Sequence, residues 1–295
     1  MRCATWSSAI DSLLRRLRAD GYTKATLRHY RYGCRIVAER LQALDSDLVR
    51  PHDVREGHVT RLLAQMRSEA LSVPTMRDYL TCLRRLCDHC DNHILDTIHP
   101  IWSQDMRQNV HWLTEDRASL LLNSVLDPRE NIIIVLMLCM GLRRVEVVRL
   151  RLGDIGEGWI TVHGKGHEGG KLRTVPFHPR FQSALSRWME YRDMLVKGSG
   201  YRSDALIVYR QGRSLFGYSE LGSAIDNIVR TATKRVGVPC SSHTLRRTFG
   251  RAMWHAGVPV ETIARILGHS NTVQTLRYIG ADLDDMTDAM NKLVF

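Results

Sequence analysis

Apolar residues recur every three or four positions through residues 5–93, and this helical period then lapses until Trp112. That spacing places apolar side chains on one face of each helix, where they can build a core. Because the lapse includes Pro100 and has the irregular pattern of a connector, we expect two independently packed units. The predicted division is an N-terminal helical domain over residues 1–98, a linker over 99–112 and a second domain over 113–295.

The N-terminal domain is predicted to contain four amphipathic helices. The first begins at Thr5 and ends at Gly21, a residue type that commonly terminates helices. The other three begin near Thr23, after Asp53 and near Pro74, and proline suits a first helical turn. An all-helical domain is therefore expected before the linker.

The second of these helices carries a row of cations beside its apolar face. The row consists of four residues at helical spacing: Lys24, Arg28, Arg31 and Arg35. A solvated face usually mixes charges of both signs, whereas cations in line repel one another unless phosphates neutralise them. We therefore favour DNA contact for this basic row over an ordinary solvated face.

The composition favours a nucleic-acid partner over a membrane. Lys and Arg number 42 against 31 Asp and Glu, which gives a formal net charge of +11 and fits a polyanionic partner. The longest apolar run, over residues 132–140, is too short to span a bilayer, and the N-terminus lacks the apolar segment of a signal peptide. A cytoplasmic protein is expected, with its seven cysteines as thiols.

Several cysteines near the end of the fourth helix raise the question of a metal site. Cys87 and Cys90 have the spacing of half a zinc site, and Cys82, His89 and His93 lie nearby. The cysteines also continue the apolar period of the helix, and no second ligand pair follows. We therefore expect core cysteines and no bound metal.

The second domain is predicted to be mainly α-helical with a small β-sheet. A helix starts at Thr114, and an apolar helix ends near Gly141. Two short strands, over residues 159–163 and 172–177, flank a glycine-rich turn and form a β-hairpin. Helices are expected again from Pro179 onward.

Short polar motifs in the second domain carry the candidate chemistry, although each is weak by itself. Arg143 and Glu146 are three residues apart, a spacing that usually forms a surface ion pair. His243 and Arg246 lie one helical turn apart and project to the same side. His269 follows Gly268 in an exposed turn, where a histidine is most often an ordinary surface residue. Their combination in chain order is more informative than any one of them.

In that combination the sequence resembles the tyrosine recombinase, or phage integrase, family. The family is marked by a GLR-x-x-E segment, a lysine in a hairpin turn, an H-x-L-R helix and an L-G-H-S stretch that precedes a tyrosine. The matching segments here are Gly141-Leu142-Arg143 with Glu146, Gly164-Lys165-Gly166, His243-Thr244-Leu245-Arg246, Leu267-Gly268-His269-Ser270 and Tyr278. The N-terminal helices are similar to the family's core-type DNA-binding domain, and the chain length is similar to that of compact Xer-like members.

The resemblance implies a strand transfer in which Tyr278 is the nucleophile and a 3′-phosphotyrosine is the intermediate. Attack on a phosphodiester gathers negative charge on its non-bridging oxygens, and guanidinium groups match these oxygens bidentately. No carboxylate cluster suggests two metal ions, and no G-x-x-x-x-G-K-[ST] loop is present. Arg143 and Arg246 are the candidates for binding the phosphate, and no metal or nucleotide cofactor is expected.

Four further residues complete the candidate site through their places in the motifs. His243 would accept or donate a proton, because imidazole changes charge near neutral pH. His269 would donate a hydrogen bond to the phosphate, and Lys165 would protonate the departing 5′ oxygen. Glu146 would orient its neighbours without reacting itself.

The expected activity is site-specific recombination of duplex DNA by four protomers on two sites. The tail over residues 282–295 has Met286, Met290 and Leu293 at helical spacing, so it can pack on its own core or on a neighbouring protomer. Two other functions stay open: a type IB topoisomerase-like enzyme that relaxes DNA, and a DNA-binding regulator with the same fold and no chemistry. The motifs do not separate integration, excision, inversion and dimer resolution.

Overall fold

The chain divides into two compact units, Met1–Met106 and Arg107–Phe295. The structure, a computed structural model, describes residues 5–102, 111–164, 172–197, 203–211, 214–218 and 223–280. The hairpin turn with Lys165 and the tail over residues 282–295 lie outside these described residues, so the expectations for them stay predictions. Among the helices that the structure describes, none has both the length and the hydropathy needed to cross a bilayer.

The first unit contains the four predicted helices. They are α1 (Trp6–Ala19), α2 (Lys24–Leu44), α3 (Glu56–Ser68) and α4 (Val73–His89). Thr5 caps α1, because its Oγ1 accepts the backbone N–H of Ser8 at 3.3 Å. Gly21 follows the end of α1 with a φ of +81°, a conformation that glycine adopts without steric cost. The sequence therefore locates these helix ends to within a few residues.

The core of the first unit forms where α2 packs against α1 and α4. Its fully buried side chains include Leu13, Leu17, Leu41, Leu62, Met66, Leu83 and Leu86. Cys87 and Cys90 are buried as well, and the Cys87 thiol lies 3.7 Å from the carbonyl oxygen of Pro51. The cysteines at the end of α4 thus belong to the apolar core, as their spacing predicts.

One contact between α2 and α4 is unusually close. A Cβ atom added at Gly33 would lie 2.4 Å from the Sγ of Cys82, closer than any real contact allows. Glycine at this position therefore lets the two helices approach around the buried thiol.

The second unit is mainly helical and carries two small β-hairpins. Its elements are α5 (Glu115–Ser124), α6 (Pro128–Leu138), α7 (Arg144–Arg149), β1 (Trp159–His163), β2 (Leu172–Pro176), α8 (Pro179–Val196), β3 (Val208–Gln211), β4 (Ser214–Gly217), α9 (Ser223–Arg235), α10 (Ser242–His255), α11 (Val260–Leu267) and α12 (Thr272–Ile279). The buried helix α6 packs against α8, α9 and α10 and forms the centre of the core. This arrangement agrees with the predicted fold class.

The two hairpins differ in how well the sequence predicts them. Strands β1 and β2 pair antiparallel from Trp159↔Pro176 to His163↔Leu172, as expected. Strands β3 and β4 form a second antiparallel pair that the sequence analysis did not predict. Each of these strands has only four residues, too few for an alternating pattern to be distinguished from a helical one.

Candidate active site

The structure brings six of the sequence-predicted residues into one cluster in the second unit. They are Arg143, Glu146, His243, Arg246, His269 and Tyr278. They come from the start of α7, the first turns of α10, the turn after α11 and the last turn of α12. Residues far apart in the chain are therefore neighbours, and Lys165 is the one predicted catalytic residue outside the described part of the chain.

Tyr278 lies at the centre of this cluster. Its ring centroid is 5.9 Å from that of His243 and 5.1 Å from that of His269, and both imidazoles meet it edge-on. The guanidinium carbons of Arg246 and Arg247 lie 5.7 and 5.5 Å from the same ring centroid. The phenol is thus surrounded by two cations and two imidazoles, which are groups that can stabilise a phenolate or accept its proton.

The environment of Tyr278 acts on its pKa in two directions. Burial raises the pKa of the phenol above its ordinary value of 10.0, while the charges of Arg246 and Arg247 oppose that rise. The net shift is upward, so the hydroxyl is protonated at neutral pH. Its proton is directed at the backbone oxygen of His243, 3.4 Å away. A nucleophilic Tyr278 would therefore need a base or a further positive charge during the reaction.

Glu146 is the anion that joins the arginines of the cluster. Its side chain is 1% exposed, and its Oε1 and Oε2 accept two parallel hydrogen bonds of 2.8 Å from Arg173. Arg143 donates its backbone N–H and its Nη1 to the same carboxylate at 2.7 and 2.8 Å, and the Nη1 of Arg246 lies 3.4 Å away. Burial by itself raises the pKa of Glu146, but Arg173 and then Arg246 outweigh it and lower the pKa to about 2.

Arg246 is held in place by two backbone carbonyl oxygens, one just before α7 and one at the end of α11. Its Nη1 donates to the carbonyl of Gly141 at 2.6 Å, and its Nη2 donates to that of Leu267 at 2.5 Å. Burial and the nearby charge of Arg143 lower the pKa of Arg246 to about 10. The guanidinium is thus still charged at neutral pH and has a fixed orientation.

Three arginines converge on the last carbonyl groups of α11. Arg173 donates its Nε to Ile266 at 2.7 Å, while Arg143 donates its Nη1 to Leu267 at 3.0 Å. Together with the bond from Arg246 to Leu267, these contacts satisfy carbonyl oxygens that a helix end leaves without partners. They also place positive charge at the negative end of the helix dipole. The end of α11, and with it His269, is therefore tied to the arginine cluster.

His269 is held through both ring nitrogens. Its Nε2 lies 3.3 Å from the Nη2 of Arg246, and its Nδ1 lies 2.8 Å from the Oγ1 of Thr275. A guanidinium group can only donate, so we assign Nε2 as the acceptor and place the ring proton on Nδ1. Burial and the charges of Arg246 and Arg143 lower the pKa of His269 to about 3, which keeps the imidazole neutral.

His243 has one open side and one side that faces Tyr278. The residue is exposed overall, although its surroundings, which include the Tyr278 ring, partly desolvate the imidazole. This desolvation, followed by the charges of Arg247 and Arg246, lowers the pKa of His243 below 6.5. The imidazole is therefore neutral at neutral pH and can accept a proton.

Two side chains that hold Glu146 and His269 lie outside the linear motifs. Arg173 lies on β2 and Thr275 lies one turn before Tyr278 on α12. An arginine in a strand beside a glycine-rich turn has no distinctive spacing, and a helical threonine commonly bonds its own backbone. Only the three-dimensional arrangement identifies them as partners of Glu146 and His269.

The basic row of the first unit is exposed along α2. All four of its side chains face solvent, namely Lys24, Arg28, Arg31 and Arg35. Only Arg35 has a described ion pair among them, with Glu39 at 3.5 Å. Three cations in line without an acidic partner among the described residues are consistent with the polyanion contact that the sequence suggests.

Comparison with known proteins finds a family that matches the second unit and relatives that match nearly the whole chain. The sequence profile of the Phage integrase family matches residues 111–284, which is more than half of the chain. A tyrosine recombinase XerC of Chromohalobacter salexigens is 26% identical over 294 residues, which cover 97% of this chain and 95% of the relative. A XerC of Caldanaerobacter subterraneus is 30% identical over 185 residues, which cover 61% of this chain and 50% of the relative.

Solved structures share the same fold. XerH recombinase bound to its difH substrate in a pre-cleavage complex has a TM-score of 0.68 and 16% identity, and the match covers 98% of this chain and 85% of that one. The Tn1549 transposon integrase bound to transposon right end DNA has a TM-score of 0.66 and 18% identity, over 97% of this chain and 99% of that one. At these identities the likeness establishes the fold.

Proposed function

Because this chain belongs to the phage integrase family and is a tyrosine recombinase that cuts and rejoins DNA, we propose that Tyr278 is its nucleophile. The observation that carries this assignment is the position of the phenol between two guanidinium groups and two imidazoles. Attack by the Tyr278 oxygen would form a 3′-phosphotyrosyl bond and release a 5′ hydroxyl. Attack of a 5′ hydroxyl from a second duplex on this bond would then complete strand exchange without an external energy source.

Arg143 and Arg246 would bind the non-bridging oxygens of the scissile phosphate. As phosphorus becomes five-coordinate these oxygens gain negative charge, and fixed guanidinium groups stabilise that charge more than they stabilise the ground state. Glu146 anchors both arginines from behind, so their orientation is set before DNA arrives. Arg246 would exchange its hydrogen bond to His269 for a bond to phosphate.

This exchange gives His269 a specific role. Once the Nη2 of Arg246 bonds to the phosphate instead, the Nε2 of His269 has no donor facing it. The neutral ring could then move its one proton from Nδ1 to Nε2 by exchange with water, and Nε2 would donate a hydrogen bond to a phosphate oxygen. In that tautomer Nδ1 is the acceptor, and the hydroxyl of Thr275 would reverse its hydrogen bond and donate to it. A hydroxyl can both accept and donate, so Thr275 supports the imidazole in both forms.

Proton transfers balance the strand cleavage. His243 would take the phenolic proton as the Tyr278 oxygen bonds to phosphorus, which requires the neutral imidazole that its lowered pKa provides. The bond from phosphorus to the 5′ oxygen breaks, and we assign the proton for that oxygen to Lys165 from its motif. The residue's ammonium group suits this task, because crowded cations lower a lysine pKa.

We further propose that the substrate is duplex DNA with a specific recombination site, bound by four protomers on two sites. XerH and the Tn1549 integrase were solved with their own DNA substrates, and the shared fold supports the same class of ligand here. The basic row on α2 would contact phosphates of this duplex. Because the proposed substrate is cellular DNA, we assign the reaction to the cytoplasm.

A nicked suicide substrate tests the chemistry. Wild-type protein should form a covalent adduct with a DNA strand that is cut near a nick, and Tyr278→Phe should form none while binding the same DNA. No adduct with wild-type protein on any genomic fragment that it binds would instead favour the non-catalytic regulator. Relaxation of supercoiled plasmids of unrelated sequence, without recombinant products, would favour the topoisomerase-like activity.

A further inference from the structure

A second group of reactive side chains lies in the first unit, between α2 and α4. The Nε2 of His29 is 3.1 Å from the Oδ1 of Asp78 and 3.8 Å from the Sγ of Cys82. These three atoms all lie within 4.8 Å of one another. Imidazole, carboxylate and thiol are the three side-chain groups that zinc binds in proteins.

The distances fit one tetrahedral ion. With bonds of about 2.0 Å to nitrogen and oxygen and about 2.3 Å to sulfur, zinc separates its ligand atoms by about 3.3–3.5 Å. The observed separations of 3.1 and 3.8 Å lie on either side of this range. These two separations need to change by only a few tenths of an ångström, and the third, between Asp78 and Cys82, is at most 4.8 Å. Small side-chain movements would therefore fill three of the four coordination positions.

The surroundings of the three groups differ in a way that suits metal entry. Cys82 is 0% exposed, whereas the side chains of His29 and Asp78 are 46% and 47% exposed. Gly33, one turn after His29, leaves the space that the sulfur occupies. The thiol is thus buried, and the two exposed ligands leave the position between them accessible from solvent.

We propose that His29, Asp78 and Cys82 bind a divalent cation of the zinc class. Cys82 would bind as a thiolate, so its Sγ–H proton would pass to solvent as the sulfur–metal bond forms. A water molecule completes the fourth position. The ion would link α2 to α4 directly beside Arg28, and it would make the local charge more positive where the basic row lies.

This site shares only Cys82 with the group of cysteines and histidines near the end of α4. It uses neither Cys87 nor Cys90, and His29 is separated from Cys82 by 53 positions. No short spacing in the sequence could indicate it, because the ligands come from two helices. The proposal is independent of the recombination chemistry of the second unit.

Cobalt titration of the full-length protein tests the proposal. Co²⁺ bound by a thiolate gives a near-ultraviolet charge-transfer band, and Zn²⁺ should abolish that band by displacing cobalt. We expect one Co²⁺ per chain with this band, no band in Cys82→Ala, and an apparent affinity lower by at least about tenfold in His29→Gln. At the same concentration, zinc should also raise the melting temperature of the wild type by more than it raises that of His29→Gln.

Two control variants separate this site from other thiols and surface ligands. Cys34→Ala removes a neighbouring thiol whose Sγ lies 3.5 Å from the Cys82 carbonyl oxygen, and His93→Ala disrupts the exposed group of Asp88, His93 and Asp96. Both variants should keep the band. Because His29 is exposed, His29→Gln should fold even if a Cys82 variant does not. A wild-type protein without the band at saturating cobalt, or an unchanged affinity in His29→Gln, would overturn the proposal.

Discussion

Glu146 is a buried anion that three arginines share. Removing water from a carboxylate is costly, and the cost is offset here because Arg143, Arg173 and Arg246 all donate to its oxygens. The consequence extends to the proposed reaction, since the same carboxylate holds both arginines that we propose to bind the phosphate. Glu146 can therefore set the geometry of the groups that are proposed to bind DNA without reacting itself.

The Glu146 carboxylate should stabilise the second unit at neutral pH and lose this effect in acid. Folding lowers its pKa from 4.5 to about 2, so its contribution is complete above about pH 4.5 and is lost as the pH falls through about 2. A shift of this size corresponds to about 3 kcal/mol. Urea denaturation between these pH values should show a steeper loss of unfolding free energy for wild type than for Glu146→Gln. The exposed-site variant Glu261→Gln should follow the wild type, and parallel curves for all three proteins would contradict the assignment.

Thr275→Val should slow strand cleavage without weakening DNA binding. Valine keeps the shape of threonine but cannot hydrogen-bond to His269, so the imidazole loses the partner that holds its ring. We expect the rate of adduct formation to fall by about 10- to 100-fold, the usual effect of losing such a supporting bond. Thr275→Ser should restore most of the rate. Equal rates for the valine and wild-type proteins would show that the contact is only structural.

The sequence predicts those residues of the candidate site that lie in linear motifs, and it misses those that join by packing alone. Arg143, His243, Arg246 and Tyr278 each have neighbours in the chain that mark them, and the structure places them together. Arg173 has no such neighbours, because its partner Glu146 is 27 positions away and lies on another element. Contacts of this kind depend on how the elements pack, which residue spacing does not specify.

At the scale of elements, the turn at the end of α11 is stabilised by arginine side chains. Gly268 terminates the helix with a φ of +64°, and the arginines bind the carbonyl groups just before it. A Cβ atom at this glycine would lie 3.1 Å from the Nη1 of Arg173. The turn that presents His269 thus depends on both a left-handed residue and a closely packed guanidinium group.

Gly268→Ala should therefore destabilise the second unit. A left-handed conformation costs an L-residue about 1–2 kcal/mol, and the added methyl group would also press on Arg173. Thermal or urea denaturation should show a loss of this size, together with slower cleavage. Gly153→Ala is the matched control, because an added Cβ there meets nothing within 4 Å. A Gly268 variant as stable as this control would contradict the account of the turn.

The two β-hairpins show how far the residue pattern of the sequence can predict a strand pair. The β1–β2 pair is predictable because its strands flank a long glycine-rich turn and have five residues each. The β3–β4 pair follows a long helix and has four residues in each strand. Its pairing becomes apparent only in the register of the folded chain.

At the scale of the whole molecule, the first unit is proposed to bind DNA and the second to react with it. Salt dependence can test the first part of this division. Each phosphate contact contributes about 0.9 to the slope of log K against log salt concentration. Changing Lys24, Arg28 and Arg31 together to glutamine should reduce that slope by about 2.7 and weaken binding to all sequences alike.

A control for this experiment lies on α3. Arg61 is 52% exposed and faces Asp45 at 3.7 Å, so Arg61→Gln removes a surface cation outside the basic row. Its slope should stay close to that of the wild type. A triple variant with an unchanged slope would remove the row from the proposed interface.

Helix α12 keeps the phenol of Tyr278 against Arg246 and His269 of its own chain. Each protomer therefore carries its own proposed nucleophile, and we expect it to cleave the strand that its own active site binds, without a tyrosine from a neighbouring protomer. A mixture of one variant that lacks the Tyr278 phenol and another that lacks the Arg246 guanidinium should then show no restored strand cleavage. Each subunit of an assembly would then contain a complete active site, and the neighbouring subunits would control when that site cleaves DNA.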